Sequence, residues 1–190
     1  MKKSEIRKLY LEKRKAMSQD FVISLSERIF ENFVNYFKPS SGQRIHIFIP
    51  IEKFNEIKTE IFIQYFLARN IHVFVPKIVD TKLISVEIFN ETKFETNHWG
   101  ISEPVSNQDS GIFDFDFIIT PLLYCDKKGN RVGYGKGFYD EFFESVSKDS
   151  KKIGVNYFDP DDMIDDIWEN DIPLDYLVTP TAVLSFFKGF

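Results

Sequence analysis

Residues 129–140 read Gly-Asn-Arg-Val-Gly-Tyr-Gly-Lys-Gly-Phe-Tyr-Asp, which sets alternating glycines among two cations and a terminal carboxylate. Removing every second Cβ lets the backbone N–H groups of a turn close around an anion without steric cost. Arg131 and Lys136 add positive charge at the same place, and a helix expected to begin near Phe138 adds the partial charge of its N-terminus. The segment therefore suits a polyphosphate, although glycines at such spacing also serve in ordinary turns. Asp140 closes the run. In the first turn of a helix it either complements the helix dipole or ligates Mg2+, an ion that takes one or two carboxylates beside phosphates and keeps several waters.

Other residues join these candidates by type and spacing. Lys3, Arg7 and Arg14 stand at offsets of 0, 4 and 11, so on a helix they fall within about 40° of one another. Like charges on one stripe repel, and the stripe is either a solvated face or a face turned to a polyanion. Glu56 reads as an acid at a helix start, and Asp171 lies in a crowd of acids from which no spacing rule selects it. Trp99 and Tyr139 suit either stacking on a ligand ring or filling the core. His46 and His72 alternate with apolar residues inside expected strands and read as structural. Cys125, the sole cysteine, excludes an internal disulfide, fits a reducing compartment and reads as a small buried hydrophobe.

The 190 residues, 43% of them apolar, are enough for one domain with a full core. A formal net charge of -5 speaks against a nucleic-acid binder, which would carry a basic excess. The N-terminal residues are charged throughout and no apolar run reaches the roughly 18 residues of a membrane span. A soluble, cytoplasmic monomer acting on small molecules is the expectation. The 21 phenylalanines read as core packing before anything else.

Helical spacing predicts an amphipathic helix over residues 4–17, with Ile6, Leu9, Tyr10, Lys13 and Met17 on one face. A second helix, capped by Ser18, runs to about residue 37. Strands follow at 44–50, 71–76, 83–89, 115–123, 152–156, 175–179 and 182–187, with helices at 56–69 and from 138 onward and a loop at 98–104. Strands alternating with helices predict an α/β fold: a mainly parallel sheet flanked by helices in a Rossmann-like, three-layer arrangement. A helical arm (1–38) precedes the α/β body (43–190), all in one domain. A glycine loop between strand and helix is where such sheets place ligands.

Taken in order, the motifs resemble the 5-formyltetrahydrofolate cyclo-ligase (methenyltetrahydrofolate synthetase) family over nearly the whole chain. They are the K-x-x-x-R of Lys3 and Arg7, Glu56-Ile57-Lys58-Thr59, the Val73 to Pro76 strand end and Trp99-Gly100-Ile101-Ser102-Glu103-Pro104. The D-x-I-I-x-P of Asp116 and Pro121, the glycine segment and a late Asp171 before Leu174-Asp175 complete the series. The resemblance implies conversion of 5-formyltetrahydrofolate to 5,10-methenyltetrahydrofolate with MgATP, through a phosphorylated formyl group. By resemblance, Lys3, Arg7, Arg131, Gly133, Gly135, Lys136, Gly137, Phe138 and Tyr139 hold the ATP phosphates, with Arg131, Lys136 and Tyr139 serving catalysis. Asp140 and Asp171 then ligate Mg2+, and Ile49, Glu56, Trp99 and the residues from Tyr134 to Phe138 line the folate side. The chain departs from the family pattern at Leu122-Leu123-Tyr124-Cys125, at Glu141 and at Glu169-Asn170. Two other readings of the same residues are a different phosphate-handling enzyme on this scaffold and a non-catalytic folate or nucleotide binder.

Overall fold

A computed structural model describes residues 1–97 and 100–187. Two helices come first, α1 (Lys3–Lys15) and α2 (Gln19–Phe37). The Ser18 hydroxyl caps α2 by accepting a hydrogen bond from the Phe21 N–H at 3.3 Å, and Lys38, in the left-handed region, ends it. Val22, Ser26, Ile29 and Phe33 form the buried stripe of α2 at the spacing that amphipathic helices require. Arg14 corrects the sequence reading. It follows the buried Ile6 and Tyr10 at steps of four, so it continues the inward stripe of α1 and is only 1% exposed.

The strands in chain order are β1 (Arg44–Ile47), β2 (His72–Val79), β3 (Lys82–Ile88), β4 (Phe94–Thr96), β5 (Ser102–Pro104) and β6 (Phe117–Thr120). They continue with β7 (Tyr124–Cys125), β8 (Arg131–Val132), β9 (Lys151–Val155), β10 (Tyr176–Val178) and β11 (Val183–Ser185), while α3 (Glu60–Leu67) and α4 (Phe138–Ser145) are the later helices. Seven strands form one sheet in the order β11-β10-β9-β6-β1-β2-β3. The five inner strands run parallel and both edge strands are antiparallel.

Alternation along each strand sorts the core into two layers. Ile45 and Ile47 of β1, with Val73 and Val75 of β2, face Phe33 of α2 and Phe62 and Phe66 of α3. Phe74 and Ile118 point the other way, toward Phe142 and Phe143 of α4. Burying each such side chain contributes about 1.5–3 kcal/mol, so both faces are committed and helices cover each. The α/β architecture is as the sequence predicts.

Three local differences bear on the site. The expected helix at 56–69 begins only at Glu60, because the preceding residues are held elsewhere. Asn55 donates to the Arg14 and Met17 carbonyls at 2.8 and 3.1 Å, and the Thr59 hydroxyl donates to the Phe48 carbonyl at 2.7 Å. Glu56 is therefore not a helix-start acid. Residues 102–104, expected in a loop, pair as β5 with β4. Finally, a small hairpin of β7 and β8 intervenes between β6 and the glycines, so the strand ends at Thr120.

This topology fixes where ligands belong. From β1 the chain turns to β2 on one side, while β6 lies on the other, so the order reverses between β1 and β6. The segments leaving the carboxyl ends of these two strands, 48–59 and 121–137, flank the crevice that open α/β sheets use for ligands.

Candidate active site

The glycine segment is rooted by its hairpin. Asp126 is buried, and its Oδ1 accepts from the Lys128 and Asn130 N–H groups at 2.8 and 3.0 Å, closing the turn. Gly129, at φ +83°, lies so close to the Leu174 carbonyl that an added Cβ would approach it to 2.8 Å. Beyond β8 the chain opens: Gly135, Lys136 and Gly137 are exposed, and Gly137, at φ +76°, caps α4. Among the described residues, no backbone N–H from Tyr134 to Tyr139 donates a hydrogen bond. Six successive N–H groups without internal acceptors at a helix N-terminus are the kind of donor run that suits an anion.

Helix α1 brings cations to this donor run. The Arg7 Nε donates to the Gly133 carbonyl at 2.9 Å, and its guanidinium lies 3.2 Å from where a Gly135 Cβ would stand. Lys3 pairs with Asp171, and Lys136 forms no ion pair among the described residues. Arg14, the third member of the expected stripe, points away and donates to the Leu122 carbonyl and, at 3.2 Å, to Asn156 Oδ1. It braces the hairpin against the strands.

Arg131 ties the two carboxylate candidates together. Its Nη2 meets Asp140 Oδ1 at 2.7 Å, its Nη1 donates to the Ile172 carbonyl, and its guanidinium lies 4.6 Å from the Phe143 ring centroid. Burial pulls the Arg131 pKa down, which the Asp140 charge opposes. The Ile172 N–H also reaches Asp140 Oδ1 at 3.3 Å, so the residue after Asp171 is bonded to Asp140. Asp140 Oδ2 and Asp171 Oδ1 accept no hydrogen bond among the described residues. No cluster of three or more His, Cys, Asp or Glu side chains there could hold an ion unaided. Two carboxylates with an uncommitted oxygen each fit a Mg2+ ion shared with phosphates, not an all-protein cage.

A different environment lies across the glycine segment. Glu56 is buried; its Oε1 accepts from the Tyr134 hydroxyl at 2.6 Å and its Oε2 from the Ile51 N–H at 2.7 Å. Burial pushes the Glu56 carboxyl above its ordinary value, against both hydrogen bonds and the Arg14 charge. Tyr134 stacks on Phe54 with ring centroids 5.2 Å apart, making a flat wall. Ile49 is half-buried on the main core beside this wall's chain segment. The Tyr139 hydroxyl is buried without a partner, its ring 6.3 Å from His46 and 5.9 Å from Phe143. Trp99 lies outside the described residues.

Some supports escaped the sequence reading. Tyr124, at a departure from the family pattern, stacks on Tyr10 with centroids 4.2 Å apart, and the Tyr10 hydroxyl donates to Asp162 at 2.8 Å. Together they clamp α1, the hairpin and the acidic segment. Asp126 carried a usable signal, since Asp followed by Gly129-Asn130 is turn chemistry; nothing in the sequence singled out Tyr124. Cys125 is buried and burial raises its thiol pKa, so it sits as an inert hydrophobe. A groove of about 590 Å³ along β3, lined by Val86, Phe89, Lys93 and Val105, holds none of the candidates.

A family model described as the 5-formyltetrahydrofolate cyclo-ligase family matches residues 1–180. The chain belongs to the 5-formyltetrahydrofolate cyclo-ligase family. It is thus a ligase of that family. A 5-formyltetrahydrofolate cyclo-ligase of Mycoplasma pneumoniae is 28% identical over 182 residues, covering 94% of this chain and 98% of the relative. The NMR structure of Aquifex aeolicus 5,10-methenyltetrahydrofolate synthetase superposes with a TM-score of 0.84 at 30% identity, covering 100% of this chain and 95% of that one. The 5,10-methenyltetrahydrofolate synthetase from Mycoplasma pneumoniae gives 0.72 at 27% identity, covering 95% and 99%. Among the described residues no helix is long and apolar enough to cross a membrane.

Proposed function

We propose that this chain uses ATP, with Mg2+, to convert 5-formyltetrahydrofolate to 5,10-methenyltetrahydrofolate, releasing ADP and phosphate. The observation that carries the reading is the run of undonated N–H groups from Tyr134 to Tyr139 beside Lys3, Arg7 and Lys136. Such preorganised donors stabilise charge as it shifts within a triphosphate.

In this reading Gly133, Gly135, Gly137 and Phe138 shape the phosphate cradle, and Lys3 and Arg7 neutralise the chain of phosphates. Lys136 reaches the γ-phosphate from the exposed tip, and Arg131 orients Asp140. Asp140 and Asp171 would hold Mg2+, which when bound supplies further neutralisation of the phosphate oxygens. Tyr139, at the start of α4 with its hydroxyl buried, offers its backbone N–H to the phosphates. On the far side Glu56 accepts hydrogen bonds from the pterin, with Ile49 and Tyr134 as walls.

The chemistry balances in two steps. The formyl oxygen attacks the γ-phosphorus, and the bond to the bridging oxygen breaks with its electron pair leaving on ADP. The formyl carbon then carries a phosphate, a good leaving group. Nitrogen 10 attacks that carbon, the carbon–oxygen bond breaks, phosphate departs and nitrogen 10 loses its proton. Incubating purified protein with 5-formyltetrahydrofolate and MgATP, and following methenyltetrahydrofolate absorbance, tests the reading. Absorbance must rise only with both substrates; no rise, or a rise without ATP, overturns it.

A further inference from the structure

The acidic segment 159–171 presents Trp168 to solvent at 72% exposure, the most of any large hydrophobic side chain among the described residues. Ile167 and Met163 beside it are each 40% exposed. Leaving an indole in water forgoes the burial of some 150–250 Å², and a family of local bonds holds it there. The Trp168 N–H donates to Asp171 Oδ2 at 2.6 Å, and the Asp171 N–H donates back to the Trp168 carbonyl at 3.0 Å. That same Asp171 oxygen pairs with the Lys3 ammonium, which lies 5.8 Å from the indole centroid. The Lys3 N–H is fixed in turn to Asp166 Oδ1 at 2.6 Å. The backbone at Trp168 is thus fixed beside the Lys3–Asp171 pair, with the indole within reach of the Lys3 ammonium.

We propose that Trp168 is the stacking platform for the purine base of the nucleotide, a subsite that rests on the ATP reading above. The local charge selects which part of a ligand belongs there. Asp165, Asp166 and Glu169 stand next to Trp168 in the chain, so this segment carries net negative charge that disfavours a phosphate but not an uncharged aromatic base. The connections select which ligand. Trp168 is joined to the phosphate side through Asp171 and Lys3, whereas the Glu56 pocket is joined to the glycine segment through Tyr134. A flat ring also suits a base because every base has a π-face to stack.

Calorimetric titration of the full chain with ATP and with inorganic tripolyphosphate, each with Mg2+, tests the assignment in wild type, Trp168→Ala and Trp168→Phe. Removing a base-stacking ring should raise Kd for ATP on the order of tenfold. Tripolyphosphate, which has no base, should bind Trp168→Ala within about twofold of wild type. Trp168→Phe should keep most of the ATP affinity. Equal weakening of both ligands in Trp168→Ala would mean that the indole only shapes the turn holding Asp171 and Lys3, and no weakening of either would mean that it is idle; each overturns the proposal. Failure of wild type to bind ATP would overturn the ATP reading itself, and is read without any variant.

Discussion

Ionisable groups on the two sides of the glycine segment live by opposite rules. On the α1 side Lys3, Arg131, Asp140 and Asp171 are charged, partly exposed and matched in pairs, Lys3 with Asp171 and Arg131 with Asp140. On the β1 side Glu56, the Tyr139 hydroxyl and His46 are buried, and their partners are neutral donors or nothing at all. Each pair keeps its carboxylate partly open, Asp171 at 23% and Asp140 at 33% side-chain exposure, which leaves an edge for a charged ligand to meet. Buried uncompensated groups disfavour their charged forms, which keeps that side suited to an uncharged heterocycle. In the proposed function, this contrast divides the residues that meet the phosphates from those that meet the pterin.

The strongest way to break this contrast is Asp140→Asn. It keeps the size and a hydrogen-bond acceptor for Arg131 but removes the charge that would meet a metal. Loss of a group acting on developing charge should lower kcat/KM by about 10²-fold or more, with an unchanged circular dichroism spectrum. Activity within a few-fold of wild type would reduce Asp140 to a helix-dipole complement.

Glu56→Gln probes the opposite side, and function and stability should move apart. Losing a hydrogen bond to the pterin, about 1 kcal/mol, should raise KM for the folate several-fold. Burial raises the folded Glu56 pKa, so the folded state holds this proton at pH values where the unfolded chain releases it. Stability therefore falls as pH rises from the ordinary carboxylate range through the raised value, and glutamine removes that loss. Urea midpoints at pH 4 and 7 should show the variant gaining on wild type at the higher pH. A variant less stable at pH 7, with the folate KM unmoved, would show that Glu56 only supports the fold.

Within the segment itself two glycines sharpen the boundary between the sides. Gly135 sits at φ +86° with the Arg7 guanidinium against it, so Gly135→Ala should cost about 1–3 kcal/mol and displace Arg7, raising KM for ATP. Gly133 has open space around its missing Cβ, and Gly133→Ala should do much less on both counts. Equal effects in thermal melts and ATP titrations would mean that the close approach of Arg7 is incidental.

These particulars also show what the sequence reveals and what it withholds. Layering, the parallel sheet and the helix start after the glycines were legible, because hydrophobic period and glycine spacing act locally. Arg14 misled because charge type outweighed its place on the inward stripe; its buried partners, the Leu122 carbonyl and Asn156 Oδ1, lie 108 and 142 residues away. Glu56 misled for the same reason: its partner Tyr134 is 78 residues distant. Tyr124 meets Tyr10 only after β6 and α1 are in place. Long-range partners of single polar groups leave no periodic trace, whereas the elements that carry them do.

His46 gives the smallest effect and the cleanest test of the buried side. Both ring nitrogens are buried without partners, and Phe142 packs with its centroid 4.6 Å from the ring. Burial lowers the His46 pKa to about 3. Between that value and the ordinary range near 6.5, the unfolded chain binds a proton that the folded chain refuses. Stability linked to His46 is thus fully present above about pH 6.5 and is lost as pH falls, by up to about 1.4 kcal/mol per pH unit. His46→Leu removes that loss and the two unsatisfied nitrogens together. Its unfolding free energy should match or exceed wild type by about 1 kcal/mol at pH 7, and the gap should widen at pH 5.5. A constant gap across that range would mean that His46 finds a proton-accepting partner in solution, and the buried side would then tolerate charge as the α1 side does.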